Sequence, residues 1–394
     1  MEISIQILSG GFLQEAVPYE LTEKKLSFIL SRLPVTKVLM GWSPDKSLYK
    51  KTAEFLAKRN VEFYLWLPVF SETGALKSLA PLKDLTGREI LKDGENSNED
   101  FFFNCPNNKE NIKKILEIFN ENFASIPFTG VFLDKIRYPS FAGEYGSRGV
   151  FSCFCRECRA VYEKANLDIE KLKAAFCAKT ITPLGVTEYR FNGNYIFKDE
   201  VISDFFRLKA GIIYSSMNHI CAFFRERGYS IGFDVFAPFL APFAGQDISK
   251  LCGLCDFIKP MMYRVTNAPA GLPFETEALL KQTNTNKKDF FKLLGINTDD
   301  KSNPFNLEFA IREMQEMSKL SSCPVYAGIE INRVEEIAPA DTAYIEETVK
   351  AYAQQKQRAQ LKQRAQTGIQ GLALSWNLLD MPEENICKIA ELIK

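Results

Sequence analysis

Residues 128–140 read FTGVFLDKIRYPS. A short apolar run, Gly130–Leu133, stops at Asp134, and Arg137, Tyr138 and Pro139 follow directly. A run this short and this apolar reads as a strand buried on both faces, which is the condition of a parallel sheet covered by helices. The same pattern recurs on either side of it. Upstream lie Ile3–Leu8, ending in Ser9-Gly10-Gly11, then Lys37–Gly41, ending at Trp42, and Val61–Leu67, bounded by Pro68. Downstream lie Ile231–Phe236, stopped by Pro238, then Phe257–Tyr263, Val325–Ile331 and Ile369–Trp376. Helical stretches such as LTEKKLSFILSRL, SLYKKTAEFLAKRN and the closing PEENICKIAELIK separate them.

Eight strand candidates alternating with helices predict an α/β fold of the (β/α)8 TIM-barrel type. An open doubly wound sheet is the structural rival, but no G-x-G-x-x-G follows the first strand. The chain is expected to form one barrel domain over 1–394. Its long insertions are 71–104 after strand three and 140–200 after strand four. Both leave from strand C-termini, the face on which barrel active sites are built.

Composition narrows the chemistry. The chain has 394 residues, 46% of them apolar, with 49 lysines and arginines against 49 acidic residues. Zero formal charge argues against a wholesale basic surface, so no nucleic-acid partner is expected. There is one histidine, His219, in a helix-like stretch, so acid–base work must fall to carboxylates, Cys, Lys or Tyr. The start, MEISIQILSGG, has no basic leader region, and no run of eighteen apolar residues occurs. A cytoplasmic protein with no membrane span and no organic cofactor is expected, and a homo-oligomer is left open. Ten cysteines then suggest reduced thiols or a metal site.

Asp134 at the top of its strand points at the cleft, and Arg137 is near enough in sequence to orient it. In VYAGIEIN, Glu330 again follows buried apolar residues, where an unpaired carboxylate needs a partner or a task. Carboxylates on strands four and seven can flank one glycosidic bond: one protonates the leaving oxygen, the other attacks the anomeric carbon or activates water. Asp234, in GFDVFAPFLAPFAGQD, reads as an ion partner behind the site or as a substrate contact. Trp42, Trp66, Tyr138, Tyr263 and Trp376 lie near strand ends, where aromatic planes can pack on sugar rings. Arg264, Asn332 and Asn377 can bond hydroxyls. A carbohydrate is thus the expected substrate. Cys153, Cys155 and Cys158 form C-x-C-x-x-C, and Cys105 in FFFNCPNN is the best fourth ligand for a closed, structural zinc. Cys252 and Cys255, in KLCGLCDFIKP, read as packing.

FTGVFLDKIRYPS resembles the strand-four signature F-x-G-(I/V)-x-(L/F)-D-(Y)-(I/V)-R-(Y/F)-P of glycoside-hydrolase-like barrel proteins. GFDVFAP, DFIKPMMYR and GLALSWN look like later strands of that group. The resemblance covers roughly residues 128–380 and implies a carbohydrate-active barrel in which Asp134 is the matching strand-four aspartate. A more local likeness is to family forty-two β-galactosidases, which bind zinc through a C-x-C-x-x-C and an earlier Cys. Cys105, Cys153, Cys155 and Cys158 are similar to that pattern. In that family Glu330 would match the strand-seven nucleophile, but Leu133-Asp134 stands where Asn-Glu carries the acid/base. Other barrel glycosidases place an Asp nucleophile on strand four, so the roles of Asp134 and Glu330 are exchangeable at this stage. The rival readings are a barrel that binds a glycan without cleaving it and a lyase or aldolase using Lys259 as a Schiff-base amine.

Overall fold

The computed structural model describes residues 1–9, 16–41, 43, 45–72, 79–90, 102–142, 145–177, 185–190, 194–296, 304–361 and 368–393. All eight apolar runs are strands: β1 Glu2–Leu8, β2 Val35–Gly41, β3 Glu62–Pro68, β4 Gly130–Asp134, β5 Ser230–Phe236, β6 Phe257–Met261, β7 Val325–Glu330 and β8 Ile369–Ser375. Each pairs in parallel with the next, and β8 pairs with β1, so the sheet closes. The doubly wound alternative is excluded and the (β/α)8 barrel stands.

Side-chain alternation divides the barrel wall into two faces. In β1, Ile3, Ile5 and Ile7 are fully buried in the large core between strands and helices. Their neighbours Ser4 and Gln6 turn into the barrel. A second, separate cluster fills the lumen: Leu39, Tyr64, Trp66, Phe132, Phe257, Tyr326 and Ala373. Phe132 and Phe257 stack at 5.9 Å, and Tyr64 meets Phe257 edge-on at 5.3 Å. Gly232 is required here, because a Cβ at that position would lie 2.2 Å from the Phe257 ring. The lumen is therefore a packed core up to the level of β4 and β5, above which it becomes polar.

The helices are set by local signals. Asp45 caps Lys46–Ala57 by accepting from Ser47 N and Leu48 N, and Asn108 caps Lys109–Asn122. Asp199 caps the long helix Glu200–Arg225, which buries Phe205, Phe206, Ile213, Met217 and Phe224. His219 lies on this helix, exposed to solvent. Within the two segments expected as insertions, Ser71–Glu72 pairs with Phe102–Phe103, and Val186–Arg190 pairs with Asn194–Phe197. Residues 73–78, 91–101, 143–144, 178–184 and 191–193 of those segments lie outside the described residues.

Candidate active site at the barrel mouth

Asp134 is the last residue of β4 and shares the inward parity of Phe132. It is 5% exposed. One carboxylate oxygen accepts from Trp66 Nε1 at 3.0 Å, and the other from Lys135 N. Lys135 sits at φ 51°, in the left-handed region, where a side chain costs about 1–2 kcal/mol. That turn folds the backbone N–H back onto the carboxylate and swings the following residues away from the lumen.

Arg137 accordingly does not orient Asp134, as its place in the sequence suggested. Its NH1 donates to Tyr138 O, and its guanidinium lies 4.3 Å from the Phe236 ring centre and 4.9 Å from that of Phe103. Among the described residues no ion pair joins it to Asp134; the Trp66 indole holds that carboxylate instead. Tyr138 is likewise drawn into the outer wall. It is fully buried, and Lys209 of the long helix lies 4.0 Å over its ring.

Below the mouth, Lys259 is fully buried with its ammonium bonded to Asp234 Oδ2 at 2.9 Å, Gln6 Oε1 at 3.0 Å and the Tyr263 hydroxyl at 2.6 Å. Gln6 Nε2 also donates to Asp234 Oδ2 at 3.2 Å. Burial pushes Asp234 up to about 7, against the pull of Lys259 and with the help of Asp134. Burial also lowers Lys259, which Asp234 resists. Three acceptors use all three ammonium hydrogens. An ammonium with all three hydrogens bonded, one of them to a carboxylate, is a poor Schiff-base nucleophile, and the lyase reading loses its reactive group. The Tyr263 hydroxyl is pushed well above its ordinary value, first by burial and then by the carboxylates of Asp234, Glu330 and Asp134 around it.

Glu330 closes β7 and is fully buried. Its Oε1 accepts from Val265 N at 2.7 Å, which ties the segment after β6 to β7. Burial raises Glu330 to about 7, opposed by that backbone bond, by the Tyr344 hydroxyl and by the Arg264 charge. Arg264 itself donates to Thr348 at 2.8 Å, lies 3.4 Å from Glu347 and covers the Tyr344 ring.

Asn332 and Asn377 work as latches. Asn332 Oδ1 accepts from Trp376 N and Asn377 N, and its Nδ2 donates to Asn377 O. Asn377 Oδ1 accepts from Leu8 N at 3.0 Å, joining the end of β8 to β1. Both amides are buried and largely spent on backbone. Trp376 is half-buried, its ring 6.4 Å from that of Tyr263. Trp42 lies outside the described residues. A cleft of about 300 Å³ opens between the hairpin 186–197, the long helix and the segment after β5, with Gln246 among its lining residues. Gln246 Oε1 accepts from Phe236 N at 3.0 Å, at the end of β5.

The four cysteines of the sequence pattern come together. Cys105, Cys153, Cys155 and Cys158 are all buried, with sulfur atoms within 4.8 Å of one another. Cys105 Sγ lies 3.5 Å from Cys155 Sγ and 3.6 Å from Cys158 Sγ. A tetrahedral ion with bonds of about 2.3 Å places its sulfurs about 3.8 Å apart, so the cluster could hold a metal. Sulfurs this close cannot all ionise unaided. Cys105 draws Cys155 down to about 6, while the sulfur neighbours push Cys158 far up. Burial lowers Lys209 to about 7, and the sulfurs of Cys153 and Cys158 oppose that shift. Cys252 and Cys255 are buried as expected, with a partner the sequence did not suggest: Cys323 Sγ is 3.6 Å from Cys255 Sγ.

Gln6, Lys209 and Tyr344 were missed by sequence reasoning. For Gln6 a signal existed: the alternation Glu2-Ile3-Ser4-Ile5-Gln6-Ile7 marks a strand with one polar face.

No protein-family model matches this chain, and no curated protein sequence does. Among solved structures it is similar to the PgaB (BpsB) glycoside hydrolase domain from Bordetella bronchiseptica, at TM-score 0.55 and 11% identity over 100% of this chain and 99% of that one. It is also similar to alpha-L-fucosidase isoenzyme 2 from Paenibacillus thiaminolyticus, at TM-score 0.50 and 11% identity over 98% of this chain. The chain spans 48% of the length of that fucosidase. At such identity the likeness establishes a shared barrel fold.

Proposed function

We propose that this chain is a glycoside hydrolase that cleaves an O-glycosidic bond at the C-terminal mouth of its barrel. The observation that carries this is a pair of buried carboxyl groups, Asp134 and Glu330, that close strands β4 and β7 at the same, C-terminal end of the barrel. The strand-four resemblance and the barrel shared with a glycoside hydrolase domain point the same way. Two carboxyl groups in different protonation states are what the reaction needs. Glu330, raised to about 7 by burial, is the proton donor to the leaving oxygen. Asp134, whose two oxygens both accept N–H bonds, is the partner that stabilises or attacks the anomeric carbon. Trp376 and Tyr263 form the apolar wall against which a sugar ring packs, and Arg264 steadies the Glu330 side. Residues 71–104 and 140–200 extend the cleft as insertions on a single barrel domain. The four cysteines hold a structural zinc that pins these two excursions together. The protein works in the cytoplasm; among the described residues no helix is long and apolar enough to cross a membrane.

The test is turnover on a panel of oligosaccharides and aryl glycosides. Asp134→Asn and Glu330→Gln should each lower turnover by orders of magnitude with the fold intact. Unchanged turnover in either variant removes that residue from the mechanism. Sugar binding without product in the wild type would support a non-catalytic glycan-binding barrel.

A further inference from the structure

The barrel register places a third acid beside Asp134. Strands β4 and β5 pair Gly130 with Ser230 through to Leu133 with Phe233, so the next step brings Asp134 level with Asp234. Strands β5 and β6 pair Asp234 with Lys259. Three neighbouring strands thus carry Asp, Asp and Lys at one level of the lumen. Adjacent strands run about 4.8 Å apart, so each side chain stands next to the following one. Gly328 of β7 leaves room for the lysine stem; a Cβ there would come within 2.4 Å of Lys259 Cε.

The charges at this level do not cancel. Two carboxyl groups face one ammonium, in a layer where Asp134 is 5%, Asp234 2% and Lys259 0% exposed. Lys259 and Gln6 both bond Asp234 Oδ2, which leaves Oδ1 without a hydrogen-bond partner among the described residues. That oxygen is the place for a proton. Asp134, by contrast, has an N–H donor on each oxygen, from Trp66 Nε1 and from Lys135 N.

We propose that Asp234 is a positioning residue for Asp134: the two carboxyls form a coupled dyad with Lys259 as counter-ion, and Asp234 holds the dyad's proton on its unpartnered Oδ1. The groups facing Asp234 are Asp134 from β4, Lys259 and Tyr263 from β6 and its end, and Gln6 from β1; Glu330 reaches it only by way of Tyr263. Two like charges at neighbouring positions of a dry layer disfavour double ionisation, as in other paired carboxyls. The ammonium keeps the pair from taking up a second proton. This inference deepens the glycosidase reading and rests on it for its purpose, though not for its test.

The test follows the side-chain carboxyl carbons of the full chain, labelled with 13C-aspartate, through a pH titration by NMR. Asp234 is assigned by the signal lost in Asp234→Asn. The expected wild-type midpoint is near neutrality rather than in the ordinary carboxylate range. Asp134→Asn should lower the Asp234 midpoint by about one unit, because a like charge is gone. Lys259→Met should raise it, because the counter-ion is gone. Glu330→Gln should leave it in place. The proposal is overturned if Asp134→Asn leaves Asp234 unmoved, or if Asp234 titrates like an exposed carboxylate in the wild type. Should Lys259→Met fail to fold, the Asp134→Asn arm decides alone. No substrate is needed, so a chain that shows the coupling but cleaves no glycan sinks the preceding proposal and spares this one.

Discussion

Replacing Lys259 by Met tests the buried layer most directly. The side chain is fully buried and nearly isosteric with Met, so the cavity effect is small. What changes is electrostatic: Asp234 Oδ2 loses a bond at 2.9 Å and, among the described residues, its only ion-pair partner. Removing one partner of a buried pair costs about 3–5 kcal/mol when the other stays charged. Asp234 has an escape, because it can take up a proton, and this makes the cost pH-dependent. In the wild-type fold its carboxyl sits at about 7. That is above the unfolded value of about 3.9. A carboxyl raised in the fold favours the native state when protonated, so its contribution falls as pH climbs through that window and levels off above about 7. In Lys259→Met the folded value rises further, and the loss continues at about 1.4 kcal/mol per pH unit where the wild type has flattened. Urea denaturation at closely spaced pH values from 5 to about 9 reads both curves, using linear extrapolation. The variant should lie close to the wild type at the acid end and diverge progressively at the alkaline end. The double change Lys259→Met with Asp234→Leu should recover much of the loss, since an apolar pair replaces a broken ionic one. Parallel curves, or a double variant weaker than the single one, would refute the reasoning.

Other outcomes follow from the same geometry. Glu330→Gln keeps an oxygen for Val265 N but removes the proton, so turnover should fall by about 10²–10⁴ in a chain that still unfolds cooperatively. Trp66→Phe leaves one Asp134 oxygen without its indole donor and should cost about 1–3 kcal/mol in denaturant titration. Elemental analysis should find one tightly held zinc per chain. Cys155→Ser or a strong chelator should release it and destabilise the protein by several kcal/mol, read as a lower unfolding midpoint; a fully stable, metal-free chain would show that the thiols are only packing. Gly328→Ala forces a methyl against Lys259 Cε and Pro260 O and should cost about 1–3 kcal/mol.

The barrel was legible because each strand is buried on both faces and so appears as an apolar run closed by Gly, Pro or a charge. The cluster of four cysteines was legible because three of its members lie within one short spacing and only Cys105 had to be found elsewhere. The wiring of the mouth was not legible. Trp66 and Asp134 are distant in sequence and meet only because β3 and β4 pair Trp66 with Phe132, two residues before the acid and on the same face of the strand. Arg137, three positions beyond Asp134, looked like its natural partner. The left-handed turn at Lys135 sends it instead onto the rings of Phe103 and Phe236. The level at which Asp134, Asp234 and Lys259 meet depends on the stagger of neighbouring strands, which no local pattern encodes. Asn332 and Asn377 looked like hydroxyl ligands and proved to be fasteners, because backbone N–H groups at the strand ends claim their oxygens first.

The Asn377 contact to Leu8 N has a consequence for how the molecule is born. The opening strand can find its second neighbour only when β8 arrives, and in a growing polypeptide β8 leaves the ribosome after the other seven strands of the barrel. Throughout synthesis the N-terminal edge stands bare, with Ile3, Ile5 and Ile7 beside an open row of amides, the kind of edge that invites pairing with strangers. A nascent chain stalled short of residue 377 should therefore be a client for holdase chaperones, and emergence of β8 with Asn377 should end that dependence.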